Sequence, residues 1–376
     1  MPDQGRPSGR KDMRLVALVV LLLSLVACGQ QQNSDIQAQA PQQYYQWKLV
    51  TSWPKNFPGL GMAPERFAER VNQMSGGRLT ITVYGAGDLV PAFEVFDAVS
   101  QGTAEMGHSA AYYWKGKVPA AQFFTTIPFG MNAQEMNSWL RYGGGLALWS
   151  ELYAPFGIKP LPGGNTGVQM GGWFNKEIRS LEDFKGLKMR LPGLGGEVIS
   201  RLGGVPVTLP GRELFTALQT GAIDATEWVG PYNDLAFGLH KAASYYYYPG
   251  WHEPGTNLEF LINQQAFDAL PSDLQAILTN AAEGVNQDML DEYTMRNIEA
   301  LDALVNDHGI KLRKFPDEVL DALRNTAEQV ITEQAATDPQ MKRVYDSYMT
   351  FYRGVRRYHK VSEEAYNEAR DSLYRD

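Results

Sequence analysis

Two stretches constrain the fold more than any other feature of this chain. "PAFEVFDAVSQGTAEMGHS" (residues 91–109) and "PGRELFTALQTGAIDATEW" (residues 210–228) align without a gap, 119 residues apart, with Pro, Glu, Phe, Ala and Gly at shared places. Each reads as a Pro, a two-turn helix, a Gly suited to the left-handed position past a helix end, and a strand. One reading is a pair of α/β units of like construction; the other is two generic helix–Gly–strand segments. In the first reading Glu227 and Trp228 fall where the earlier unit has His108 and Ser109. Ligands of open α/β sheets collect beyond the carboxyl ends of the strands, so both strand ends would face one cleft.

The flanking segments continue the alternation. "YQWKLVTSW" predicts a strand, residues 62–75 an amphipathic helix, and "GRLTITVYG" a second strand, which argues α/β with parallel pairing. "SLEDFKGLKMRLPGLGGEVISRLGGVPV" reads as a helical turn, a strand, a Gly-rich turn, a helix and a strand. "YYYYPGW" (245–251) and "TNLEFLIN" (256–263) are expected strands that return the chain to its first half. From Ser272 to Asn306 the apolar positions Leu274, Ile277, Leu278, Ala281, Val285 and Met289 mark one helix face. Such a helix would run roughly 50 Å, enough to cross two lobes, before His308-Gly309 ends it. Helices are expected over about 317–335, 339–358 and 362–374. The stripe Tyr345, Tyr348, Met349, Tyr352, Val355 must bury its face on the chain's own core or in a dimer.

The beginning of the chain is read separately. Arg6, Arg10, Lys11 and Arg14 precede "LVALVVLLLSLVA", an apolar run too short to span a bilayer but of secretory length. "LVAC" reads as a lipobox in which Cys28 is lipidated, the alternative being an ordinary signal peptide with a chance Cys. The Gln-rich segment 28–43 has little to bury and is expected to be a tether. Cys28 is the only cysteine, so no disulfide staples the mature chain and its core must hold it. Without residues 1–27 the chain keeps 30 basic and 40 acidic residues, a net charge of −10. That argues against nucleic acid or an anionic lipid surface as partner. An anionic ligand would therefore need a specific local cation.

Enzyme signatures are weak. "GHSAA" resembles a nucleophile elbow around Ser109, but the following "YYWKGKVP" breaks within a few residues where an elbow needs a helix. "GLGGEV" has Val198 where a dinucleotide fingerprint needs its last Gly, and the five His residues lack zinc spacing. Polar residues set among glycines and aromatics are more informative. Gln169 lies in "GVQMGGW", and Arg190 ends "LKMR" just before Pro192, Gly193, Gly195 and Gly196. An Arg at a strand's carboxyl end suits a carboxylate by two parallel hydrogen bonds; a surface salt bridge is the alternative. Glu227 in "TEWVG" and Glu253 in "GWHEPG" are acids in aromatic settings. With Gln169 they offer oxygens for sodium or calcium, or else are ordinary hydrogen-bonded acids.

With the lipobox, "TSWP", "QTGAIDATEW", "GLKMRLPG", "GGVPV" and "WHEPG", residues 44 to 376 resemble the solute-binding proteins of tripartite ATP-independent periplasmic (TRAP) transporters. The subgroup most similar is that binding 2-oxo monocarboxylates such as pyruvate. The resemblance implies an α/β two-lobed periplasmic-binding-protein fold with a long lobe-connecting helix and a C-terminal helical extension. Lobe 1 would comprise 44–165 plus 258–320, lobe 2 166–257, and residues 321–376 a C-terminal, dimer-forming element. It implies a receptor, not an enzyme, that hands an organic acid to membrane permease subunits. Arg190 would pair with the ligand carboxylate, and a sodium or calcium ion would be held by Gln169, Glu227, the Trp228 carbonyl and Glu253, with Gln169, Trp228 and Glu253 also lining the ligand. Lactate or a C4-dicarboxylate are the alternative ligands, and a periplasmic hydrolase using Ser109 the alternative class. The lipid anchor at Cys28 and the Gln-rich segment depart from the family pattern without touching the pocket.

Overall fold

A computed structural model describes residues 43–372. The expected leader, Cys28 and the Gln-rich segment as far as residue 42 lie outside the described residues, as does the end of the last expected helix. The first unit forms as its pattern dictates: β1 (Tyr45–Thr51), the helix Met62–Met74, β2 (Leu79–Tyr84), the helix Val95–Ser100 and β3 (Met106–Ser109). Along Met62–Met74 the residues Ala63, Phe67 and Val71 recur one turn apart and are buried. Phe67 packs its ring 4.2 Å from that of Phe260, and burying a side chain of that size contributes about 1.5–3 kcal/mol.

β4 (Ile158–Asn165) and β5 (Gly172–Phe174) then lead into a second unit of the same order. It consists of β6 (Lys188–Arg190), the helix Gly193–Arg201, β7 (Val205–Val207), the helix Leu214–Gln219 and β8 (Ala225–Thr226). β9 (Tyr245–Tyr248), β10 (Asn257–Asn263) and β11 (Lys311–Lys314) complete two sheets, ordered β2-β1-β3-β10-β4 and β7-β6-β8-β5-β9-β11. In each, the first three strands are parallel and the next is antiparallel. The two stretches that align in sequence are the last helix and strand of these two units. Gly102 and Gly221, twelfth in each stretch, both sit at φ +73°, the left-handed conformation that glycine enters without a Cβ penalty.

The helix Ser272–Asp302 continues into a π-helical turn, Ala303–Asp307, so its regular part is slightly shorter than the periodicity predicts. Its first half lies on the first sheet, where Asn286 Oδ1 accepts from Gly164 N at 3.1 Å. Its second half meets the segment after β8, where Tyr293 Oη donates to Asn233 Oδ1 at 2.6 Å and Tyr232 N donates to Asn297 Oδ1 at 3.0 Å. This helix therefore connects the two sheet units. One boundary shifts: Lys311–Lys314, expected with the first lobe, pairs in parallel with Tyr245–Tyr248 in the second sheet. The crossing helix delivers the chain there, and a "KLRK" strand with little to bury can serve only as an edge.

Helices Asp317–Ala335, Pro339–Val361 and Glu363–Asp371 follow. The aromatic stripe packs on the chain itself. Tyr348 is buried against Trp139 and accepts from Met131 N at 2.7 Å, and Tyr352 Oη donates to Phe129 O at 3.1 Å. Among the described residues no helix is long and apolar enough to cross a membrane.

Candidate functional site

Arg190 is the last residue of β6 and pairs with Thr226 of β8, so Glu227 emerges beside it at the carboxyl ends of two adjacent parallel strands. Glu227 N donates to Arg190 O at 3.2 Å. The Arg190 side chain is 1% exposed and donates Nε to Leu209 O, Nη1 to both Glu227 O and Glu227 Oε1, and Nη2 to Tyr113 Oη at 3.3 Å. A guanidinium has five N–H groups in a planar fork, so one Nη2 donor stays available to a ligand. Its Cζ lies 5.0 Å from the centre of the Trp228 ring, within cation–π range.

Gln169 and Glu253 are brought in by the loops entering β5 and leaving β9. Gln169 N donates to Glu253 O at 3.1 Å, and Gln169 Nε2 donates to Glu253 Oε2 at 2.8 Å. Thr256 Oγ1 donates to the same carboxylate oxygen at 2.6 Å. These bonds fix the amide so that Gln169 Oε1 is left without a partner, and Glu227 Oε2 is likewise buried and unpaired. One ligand atom each from Glu227, His252 and Glu253 lies within 4.8 Å of the others.

Burial pushes Glu227 up to about 7 while Arg190 pulls it down. Burial and then the Glu227 charge push Glu253 up to about 7. Burial opposes the Arg190 charge, but Glu227, Tyr113, Tyr112 and Glu253 together outweigh it, and the guanidinium is held more firmly charged than usual. A buried acid oxygen, Glu227 Oε2, and a buried amide oxygen, Gln169 Oε1, that meet no donor are costly unless a cation faces them. Carboxylate and amide oxygens in this arrangement fit a hard cation such as sodium or calcium.

The carboxyl ends of the first sheet supply the opposite wall. Trp53 follows β1, and Tyr112 and Tyr113 follow β3; Trp53 and Trp228 meet edge to face at 6.0 Å. Tyr112 stands between two small cavities. One, about 10 Å³, is lined by Trp53, Leu60, Tyr113, Gln169, Trp228 and Val229. The other, about 10 Å³, is lined by Thr126, Pro192, Gly193, Leu194, His252 and Glu253.

All five expected residues, Gln169, Arg190, Glu227, Trp228 and Glu253, thus converge. Ser109 does not join a nucleophile system: its Oγ lies 2.6 Å from Ser52 Oγ, while His108 accepts from Trp53 Nε1 and bonds Gly163 O, both at 2.8 Å. Sequence reading missed Trp53, Tyr112, Tyr113 and His252. The same strand-end rule applied to the first unit points to the first three, and His252 adjoins Glu253 in "GWHEPG".

The family described as bacterial extracellular solute-binding protein, family 7, matches residues 49–338. A monocarboxylate 2-oxoacid-binding periplasmic protein of Nostoc sp. (strain PCC 7120) is 45% identical over 95% of this chain and 97% of its own. A crystal structure of a TRAP periplasmic solute-binding protein from Pseudoalteromonas atlantica T6c, with bound sodium and pyruvate, superposes with a TM-score of 0.85. It is 48% identical and covers 87% of this chain and 99% of that one. One from Colwellia psychrerythraea, with bound calcium and pyruvate, has a TM-score of 0.85 at 46% identity, covering 87% and 100%.

Proposed function

This chain belongs to the bacterial extracellular solute-binding protein family 7, and from that premise we propose that it is the extracytoplasmic receptor of a TRAP transporter for a pyruvate-like 2-oxo monocarboxylate. The observation that carries the reading is the pairing of a buried Arg190 with two unpartnered buried oxygens, Glu227 Oε2 and Gln169 Oε1, beside one small aromatic-walled cavity.

Arg190 holds the ligand carboxylate through its free Nη2 donor, with Tyr113 fixing that nitrogen from the other side. Gln169, Glu227, the Trp228 carbonyl and Glu253 hold a sodium or calcium ion, which supplies positive charge to the 2-oxo oxygen when bound. Trp53, Leu60 and Val229 cover the alkyl end. Charge-assisted hydrogen bonds contribute about 1.5–3 kcal/mol each, and micromolar binding needs about 8 kcal/mol beyond the cost of ordering. Gln169 acts on Glu253 as well, since its Nε2 donates to the carboxylate at 2.8 Å.

Calorimetric titration of wild type and Arg190→Ala with pyruvate, 2-oxobutyrate, lactate and succinate tests the reading. Pyruvate or 2-oxobutyrate should bind most tightly and lose at least tenfold in Arg190→Ala; preference for lactate or succinate would overturn the ligand class. Cys28 is proposed as the lipid anchor, to be checked by release of Cys28→Ala from the membrane fraction. The exposed Tyr358, Val361 and Tyr366 support a self-associating C-terminal face, to be checked by light scattering.

A further inference from the structure

His252 is the ionisable group of the site to which the receptor chemistry above gives no task. It is 1% exposed, and both Nδ1 and Nε2 lack any hydrogen-bond partner. A polar group stranded in this way costs about 1–3 kcal/mol, so a buried imidazole with two idle nitrogens needs a further partner. Its ring stands edge-on to Trp251 at 5.4 Å, and its Cβ rests over Gly195, where any added Cβ would come within 3.1 Å. The imidazole is therefore packed in place.

What it faces is Glu227. His252 Nε2 lies 3.5 Å from Glu227 Oε2, which is itself without a donor. That separation is too long for a good N–H···O bond, whose usual range ends near 3.2 Å. It is instead the spacing of two ligands on one ion. Two bonds of about 2.1 Å at a tetrahedral angle hold their donor atoms about 3.4 Å apart. A Glu253 oxygen completes a set whose members all lie within 4.8 Å of one another.

We propose that His252 Nε2 is a metal ligand, and that this chain's cation site accepts a borderline transition ion of the Co²⁺ or Zn²⁺ class in addition to hard cations. Hard cations select oxygen, whereas an imidazole nitrogen among carboxylates moves preference toward first-row transition metals. Location of the ion rests on the receptor reading; the nitrogen ligand does not follow from it, since Gln169, Glu227, the Trp228 carbonyl and Glu253 supply oxygen alone.

Two measurements on the full chain test this. Co²⁺ titration of wild type, His252→Gln and His252→Ala, followed by visible absorption and chelator competition, should show about 10–100-fold weaker Co²⁺ binding in both variants. Calcium binding should change by less than about threefold, because its oxygen ligands remain. Pulsed electron paramagnetic resonance of the Cu²⁺-loaded wild type, which needs no variant, should show nitrogen coupling from a bound imidazole. Unchanged Co²⁺ affinity and spectrum in His252→Gln, or no nitrogen coupling in wild type, would overturn the proposal. If Co²⁺ fails to bind while calcium and pyruvate bind, the nitrogen ligand is wrong and the receptor reading stands. If calcium and pyruvate also fail, both fall.

Discussion

Arg190 shows how much one residue's placement decides. Its charge is buried at 1% exposure, balanced by Glu227 and shared with Tyr113 from the turn that follows β3 of the opposite sheet. Lysine would keep the charge but lose the planar fork that reaches Leu209 O, Glu227 and Tyr113 together. Arg190→Lys should therefore weaken pyruvate binding about 10–100-fold by calorimetry; affinity within twofold of wild type would show that point charge suffices. Glu259 makes a separate prediction away from the site. It is fully buried, accepts from Trp114 Nε1 and from Tyr153 Oη at 2.9 Å, and burial pushes it up to about 8. A carboxyl raised in the folded state favours folding while protonated. Its contribution is fully present below about 4.5 and is lost as pH rises through about 8. Glu259→Gln keeps a neutral side chain, with the Tyr153 hydroxyl free to turn and accept. The variant should flatten the fall of melting temperature between pH 5 and 8.5 relative to wild type. An identical slope in the two proteins would show that Glu259 does not titrate in that window.

At the scale of elements, Gly102 and Gly221 end equivalent helices at the same φ of +73°. A Cβ on Gly221 would meet nothing within 4 Å, so Gly221→Ala should cost only the left-handed strain, about 1–2 kcal/mol in urea unfolding. A loss above about 4 kcal/mol would mean that the turn carries packing not visible at this position. The equivalence of these turns explains what was readable in the sequence. A helix, its glycine and the following strand are local, so two copies placed Glu227 at a strand end before any coordinates. The long helix was legible too, from its apolar spacing. Partners chosen across the chain were not. "KLRK" carries no signal for joining Tyr245–Tyr248, because an edge strand buries little. Tyr113 enters the site only because the first sheet faces the second, and His252 only because Gly195 leaves it room. The stripe around Tyr348 could be read as core or interface, and Trp139 with Met131 decides the core for that residue.

For the whole molecule, the carboxyl ends of both sheets meet at one buried cluster, and several bonds join the two sides without touching it. Arg212 Nη2 donates to Ala86 O at 2.5 Å, Asn233 Nδ2 to Pro58 O at 2.9 Å, and Lys115 Nζ to Gly193 O at 3.3 Å. If ligand binding closes the two units on each other, these bonds belong to the closed form. Arg212→Ala should then weaken pyruvate about 2–10-fold, the worth of one hydrogen bond, although Arg212 is not a ligand residue; unchanged affinity would place the bond in both forms. In the proposed function, a chain of formal net charge −8 holds its anion by local means only: one guanidinium and one cation enclosed by aromatic walls. Calorimetry of pyruvate binding before and after exhaustive removal of sodium and calcium, into a choline buffer with chelator, tests this most directly. The account predicts that binding falls at least tenfold on removal and returns with either cation. Full-strength binding without any metal ion would contradict it.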